Sequence, residues 1–152
     1  MTEKAKTLRS NIKEKLWLWR PILFFIVIGF IIFVIVSDSV YTDNQLNILK
    51  AKQPITKVEM KIGSDSPVTY VTISDRRQLD SINLAFQNAQ EKDIQNGGLF
   101  ETWADVNVYK GNKKANLFIQ HSIYNGWMIE VGSKTLTSDY LFALVRRYSR
   151  QN

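Results

Sequence analysis

Residues 104–119 read ADVNVYKGNKKANLFI, and their alternation decides what kind of domain this chain makes. Ala104, Val106 and Val108 alternate with Asp105, Asn107 and Tyr109, the period of a strand with one buried face. Ala115, Leu117 and Ile119 repeat the pattern beyond Gly111-Asn112. If those two residues form a tight hairpin turn, Val108 faces Ala115, Val106 faces Leu117 and Ala104 faces Ile119. All six then share one side, whereas a slip of one residue would put half of them in water.

Working outward, Tyr124-Asn125-Gly126 is the next turn. A two-residue Asn-Gly loop would bury Glu130 and expose Ile129 and Val131. A three-residue loop with Gly126 left-handed instead aligns Trp127, Ile129 and Val131 with the core, and is the expectation. Gly132-Ser133 turns the chain into a strand at 134–136, and a helix is expected from Thr137, with Leu136 and Leu141 as a hydrophobic staple. Its buried stripe is Leu141, Leu144, Val145 and Tyr148, and Arg146, Arg147 and Arg150 suit a helix C-terminus. On the other side of the hairpin, Val58, Met60 and Ile62 alternate with charges, and 63–67 is a turn before a second β-rich run at 68–73. Asp75 and Gln78 resemble a capping box ahead of the apolar stripe Leu79, Ile82, Phe86 and Ala89. The expected class is α+β: a small antiparallel sheet of five to six strands, in the order ββαβββ(β)α, with two helices on one face.

The N-terminal part has a different solvent. Ile22–Val36 is fifteen residues without a polar side chain, bracketed by Trp17 and Trp19 on one side and Tyr41 on the other. From Trp19 to Tyr41 a helix rises roughly 33 Å, about the thickness of a bilayer's hydrocarbon core. Trp17, Trp19 and Tyr41 suit the headgroup layers, and Arg20 can snorkel to them. Residues 1–20 carry six basic side chains against two acidic ones, and the first basic residue after the apolar run is Lys50. That imbalance places the N-terminus in the cytoplasm and the C-terminal domain outside it. A cleaved signal peptide is the competing reading, with Ser37 and Ser39 near a conceivable cleavage site. Against it stand the long basic region and an apolar run filled with Ile and Phe to its end. The chain thus divides into a basic tail able to form an amphipathic helix (1–20), a signal-anchor helix (21–41), a linker or helix extension (42–54) and an extracytoplasmic domain (55–152). The expected location is the cell membrane, spanned once. A fragment from about Gln53 is expected to fold alone.

Composition removes several chemistries. With no cysteine there is no disulfide, thiol catalysis or Cys-based zinc site. His121 is the single histidine, so no two-His metal site exists. Glu101 and Asp105, four residues apart on one strand, would lie about 13 Å apart, beyond either glycosidase separation. Gly97-Gly98 lacks the context of a phosphate loop. No enzyme activity, metal or cofactor is expected. Residues 42–152 hold fourteen Lys and Arg against eleven Asp and Glu, interspersed until the final arginines, which disfavours nucleic acid.

One feature points to a partner. Opposite the core side of the hairpin run Trp103, Asp105, Asn107 and Tyr109, with Lys114, Asn116, Phe118 and Gln120 across from them. Aromatic side chains among polar ones are the makeup of protein-binding surfaces. Trp103, Asp105, Asn107, Tyr109 and Phe118 form the candidate face. The expected function is a membrane-anchored interaction module, accessory or assembly, holding another membrane or envelope protein. The alternative is an anchored immunity or exclusion protein that neutralises a toxin or phage component outside the membrane. Neighbouring genes would separate the two.

Overall fold

The alternation of 104–119 becomes the central hairpin of a seven-stranded antiparallel sheet. A computed structural model describes residues 3–63, 68–94, 100–122 and 124–150, with side chains from residue 19 onward except 100–102. The elements run α1 (Glu3–Lys50), β1 (Lys57–Ile62), β2 (Thr69–Ile73), α2 (Arg76–Asn88), β3 (Gln90–Glu91), β4 (Phe100–Lys110), β5 (Lys113–Ser122), β6 (Gly126–Val131), β7 (Lys134–Thr137) and α3 (Asp139–Ser149). The sheet order is β2-β1-β4-β5-β6-β7-β3. The class is α+β. The expected count of five to six strands falls short because β3, only two residues long, is added by its pairing with β7.

Two compact units divide the chain, Met1–Asp38 and Ser39–Asn152. In the first, α1 runs through Pro21, which lacks the N–H of a regular turn, and the apolar side chains of residues 22–36 are exposed. This is the one helix among the described residues long and apolar enough to cross a membrane.

The second unit holds the sheet and its core. The β4–β5 register pairs Val108 with Ala115, Val106 with Leu117 and Ala104 with Ile119. Lys110 pairs with Lys113 across the two-residue turn, where Gly111 is left-handed at φ 58°. Ser122 pairs with Gly126, whose φ of 69° takes the left-handed position, and Ile119 faces Ile129. Asp75 caps α2, accepting from the Gln78 amide at 3.0 Å, and Leu79, Ile82 and Phe86 are buried. The last helix starts at Asp139 after Ser138, two residues beyond the expected Thr137, and buries Phe142 besides Leu141, Leu144 and Val145. The turn expected at 63–67 and the glycine pair 97–98 lie largely outside the described residues.

Residues 42–54, expected as linker or helix extension, are helical to Lys50. Thr42, Gln45, Leu46 and Leu49, spaced three, one and three apart, form one buried helical face, and Ile48 is buried beside them. Leu46, Ile48 and Leu49 belong to the same apolar core as the sheet, α2 and α3. Three helical pieces therefore cover that side of the sheet, where two were expected. Polar groups fix this end of α1. Thr42 Oγ1 accepts from the Ser133 amide at 2.9 Å, and Gln45 Oε1 accepts from the Asn116 amide at 2.8 Å. Lys110, 1 % exposed, donates from Nζ to the carbonyls of Leu49 and Ala51 at 2.7 and 2.8 Å. Those carbonyls have no partner within the helix, so a buried ammonium caps them. Burial holds the Lys110 amine below its ordinary pKa.

Candidate binding face

The side of the sheet away from the core is built in cross-strand rows, because period-2 alternation and an antiparallel register stack outward side chains opposite one another. One row reads Tyr70–Lys61–Asp105–Phe118 across β2, β1, β4 and β5. The next reads Thr72–Glu59–Asn107–Asn116. Tyr109 and Lys114 follow, with Lys57 opposite Tyr109 on β1. The first two rows and Lys114 line an open groove of about 660 Å³, and Tyr109 and Lys57 lie next to it.

Asp105, Asn107, Tyr109 and Phe118 lie here together. Phe118 is 38 % exposed, flanked by polar groups on every described side of its row. Asn116 Nδ2 donates to Asn107 Oδ1 at 2.9 Å, which orients both amides across the hairpin. Tyr109 is half-buried and already engaged. Its hydroxyl donates to Glu59 Oε2 at 2.7 Å, and Lys57 Nζ sits 4.4 Å from its ring centroid. Lys57 also pairs with Glu59 at 2.8 Å. Hydrogen bonds from Lys57 and then Tyr109 hold the Glu59 carboxyl below its ordinary pKa, and the bond to Glu59 raises Lys57 and Tyr109 above theirs. Tyr109 is therefore held fixed beside the groove by Glu59 and Lys57.

Trp103 does not join the face. Thr102 pairs with Gln120 and Ala104 with Ile119, so Trp103 is the extra residue of a β-bulge. The bulge breaks the alternation that would have put Trp103 beside Asp105. Its indole packs edge-on against Trp127, centroids 4.9 Å apart, on the side facing α3. Trp127 also meets Phe142 at 5.9 Å, His121 at 5.2 Å and the Arg146 guanidinium at 4.7 Å. His121 thus packs among aromatic side chains. Trp103 Nε1 is buried with no hydrogen-bond partner among the described residues.

The residue that sequence reasoning missed is Tyr70, 77 % exposed at the β2 end of the Phe118 row. Its alternation with Val71 and Ile73 was available, but which strand lay beside β4 was not. Of the expected membrane-interface side chains, Trp19, Arg20 and Tyr41 are exposed on α1, and the side chain of Trp17 lies outside the described residues. Among the described residues no group of His, Asp and Glu has the makings of a metal site. No protein-family model matches the chain, and no curated protein or solved structure is detectably similar to it.

Proposed function

We propose that this chain is a single-pass membrane protein whose extracytoplasmic domain holds another membrane or envelope protein on the open side of its sheet. The observation that carries the reading is the row from Lys61 through Asp105 to Phe118: an exposed aromatic ring beside charges, on a wall stiffened by the Glu59–Tyr109 and Asn107–Asn116 hydrogen bonds. A preorganised polar surface with an aromatic anchor loses little entropy when a partner docks. Among the described residues that line the groove, none forms a nucleophile–base pair, so binding explains its makeup better than catalysis does.

A photoreactive side chain at Phe118, in the full chain in its native membrane, should crosslink to a discrete partner. Phe118→Ala and Asp105→Ala should leave stability within about 1 kcal/mol. Phe118→Ala should weaken capture of that partner by about 2 kcal/mol, roughly thirtyfold. Unchanged capture, or loss of folding in place of loss of binding, would overturn the reading.

A further inference from the structure

The two kinds of basic residue in the domain are sorted in space. Residues 42–152 hold fourteen basic side chains, five arginines and nine lysines. All five arginines lie on α2 or at the end of α3, and neither helix carries a lysine. The helices meet there. Gln78 Nε2 donates to the Tyr148 hydroxyl at 3.2 Å, with Arg76 and Arg77 within two residues of Gln78, and Arg146, Arg147 and Arg150 within two of Tyr148. Arg146 is stacked over the Trp127 ring. The other four arginines are exposed, and their side chains make no hydrogen bond or ion pair among the described residues.

Helix electrostatics accounts for only part of this. Arg146 and Arg147 suit the last turn of α3, whose free carbonyls favour positive charge. Arg76 and Arg77 stand in the first turn of α2, where the helix dipole disfavours them and an acidic residue would be stabilising; that turn has none. A local rule broken without a structural return marks a functional position. Charge alone does not call for arginine, since lysine serves everywhere else in the domain. The planar fork of arginine pairs bidentately with carboxylates, and arginine is enriched in protein interfaces where lysine is depleted. A uniform phosphate polymer fits this corner less well than a peptide does. Asp80, exposed and one turn from Arg76, would repel it, as would Asp75 at the α2 cap. A peptide can set a neutral or basic residue against them. We propose that this arginine corner is a second docking surface, on the helical side of the sheet away from the groove, for an acidic segment of a protein partner. No residue of the groove takes part in it.

The probe is a fluorescently labelled oligoglutamate peptide, titrated at about 0.15 M salt onto the full chain in phosphatidylcholine nanodiscs. Arg76→Gln/Arg77→Gln and Arg147→Gln/Arg150→Gln should each weaken binding by about tenfold, the loss of one or two charge-assisted contacts. Lys50→Gln/Lys52→Gln removes the same charge from exposed positions and should leave binding nearly unchanged. The basic tail contributes the same background to every variant. Arg76→Lys/Arg77→Lys should recover only part of the loss, because the charge returns without the fork. Arg76→Gln/Arg77→Gln should also melt no lower than the unaltered chain, since it relieves the first turn of α2. An oligothymidylate of equal charge should bind more weakly than the peptide, and Phe118→Ala should leave the peptide's affinity as it is. The proposal is overturned by an unaltered chain that does not bind the peptide, by an equal loss in the lysine control, or by full recovery with lysine. Tighter binding of the oligonucleotide, or a tenfold loss in Phe118→Ala, would overturn it as well. The last arm also keeps this surface and the groove separately testable.

Discussion

Gly132 is constrained twice, once by its own backbone and once by a neighbour 90 residues earlier in the chain. Its φ is +57°, in the left-handed region, and a Cβ built on it would stand 2.0 Å from Thr42 Oγ1. That oxygen cannot withdraw without giving up its hydrogen bond to the Ser133 amide. Gly111 provides the control. It has nearly the same φ, +58°, but nothing within 4 Å of its Cβ position. Left-handed geometry costs a residue with a side chain about 1–2 kcal/mol, so Gly111→Ala should lose about that much in denaturant unfolding. Gly132→Ala should lose clearly more, and part of the excess should disappear in Thr42→Ala/Gly132→Ala, where the oxygen is gone. Equal losses at the two glycines would mean that Thr42 does not press on the β6–β7 turn. Lys110 shows the same kind of dependence on α1. Its ammonium is tolerated in the core because two helix-end carbonyls accept its protons.

The element that most alters the energetics is the end of α1. Leu46, Ile48 and Leu49 contribute about 1.5–3 kcal/mol each by burial, a sum comparable with the whole stability of a small domain. Removing them also strips Lys110 of its acceptors. A fragment beginning at Ser39 should therefore unfold cooperatively, whereas one beginning at Gln53 should lack a cooperative transition by circular dichroism. A cooperative melt from the shorter fragment would show that α1 is dispensable to the core. The helix end was hard to read in the sequence because two of its four inward positions, Thr42 and Gln45, are polar and make tertiary hydrogen bonds, leaving Leu46 and Leu49 without an obvious stripe. The central hairpin was legible for the opposite reason: period-2 alternation and a glycine turn agree, and either alone fixes the register. Trp103 lay beyond such reading. A bulge is one extra residue accommodated by a partner strand, and residues 100–110 contain no turn signal to announce it. Asp105, Asn107 and Phe118 fell where alternation put them, while Tyr70 depended on the strand order, which local patterns do not encode. β3 is too short to have a pattern at all.

At the scale of the whole molecule, the remaining question is which side of the membrane the sheet occupies. Between Arg20 and Lys50 the chain has no basic residue, and it has acidic ones at Asp38 and Asp43. Lys4, Lys6, Arg9, Lys13, Lys15 and Arg20 all precede the apolar run. Basic residues within about 15–20 positions of a span determine orientation, and acidic ones contribute little. The tail thus weighs six charges against two, Lys50 and Lys52, and the domain should be delivered outside. The interspersed signs of the domain suit that setting, since its ion pairs are internal, as in Lys57–Glu59 and Lys134–Glu91, and need no membrane-side counterpart. A reporter active only outside the cytoplasm should work when fused after Asn152 and fail when fused before Met1. Neutralising the six tail cations should give a mixed population in which both fusions are partly active, because the bias is lost while the apolar span still inserts. If the reporter after Asn152 stays silent in the unaltered chain, the groove faces the cytoplasm, and its partner must be sought there.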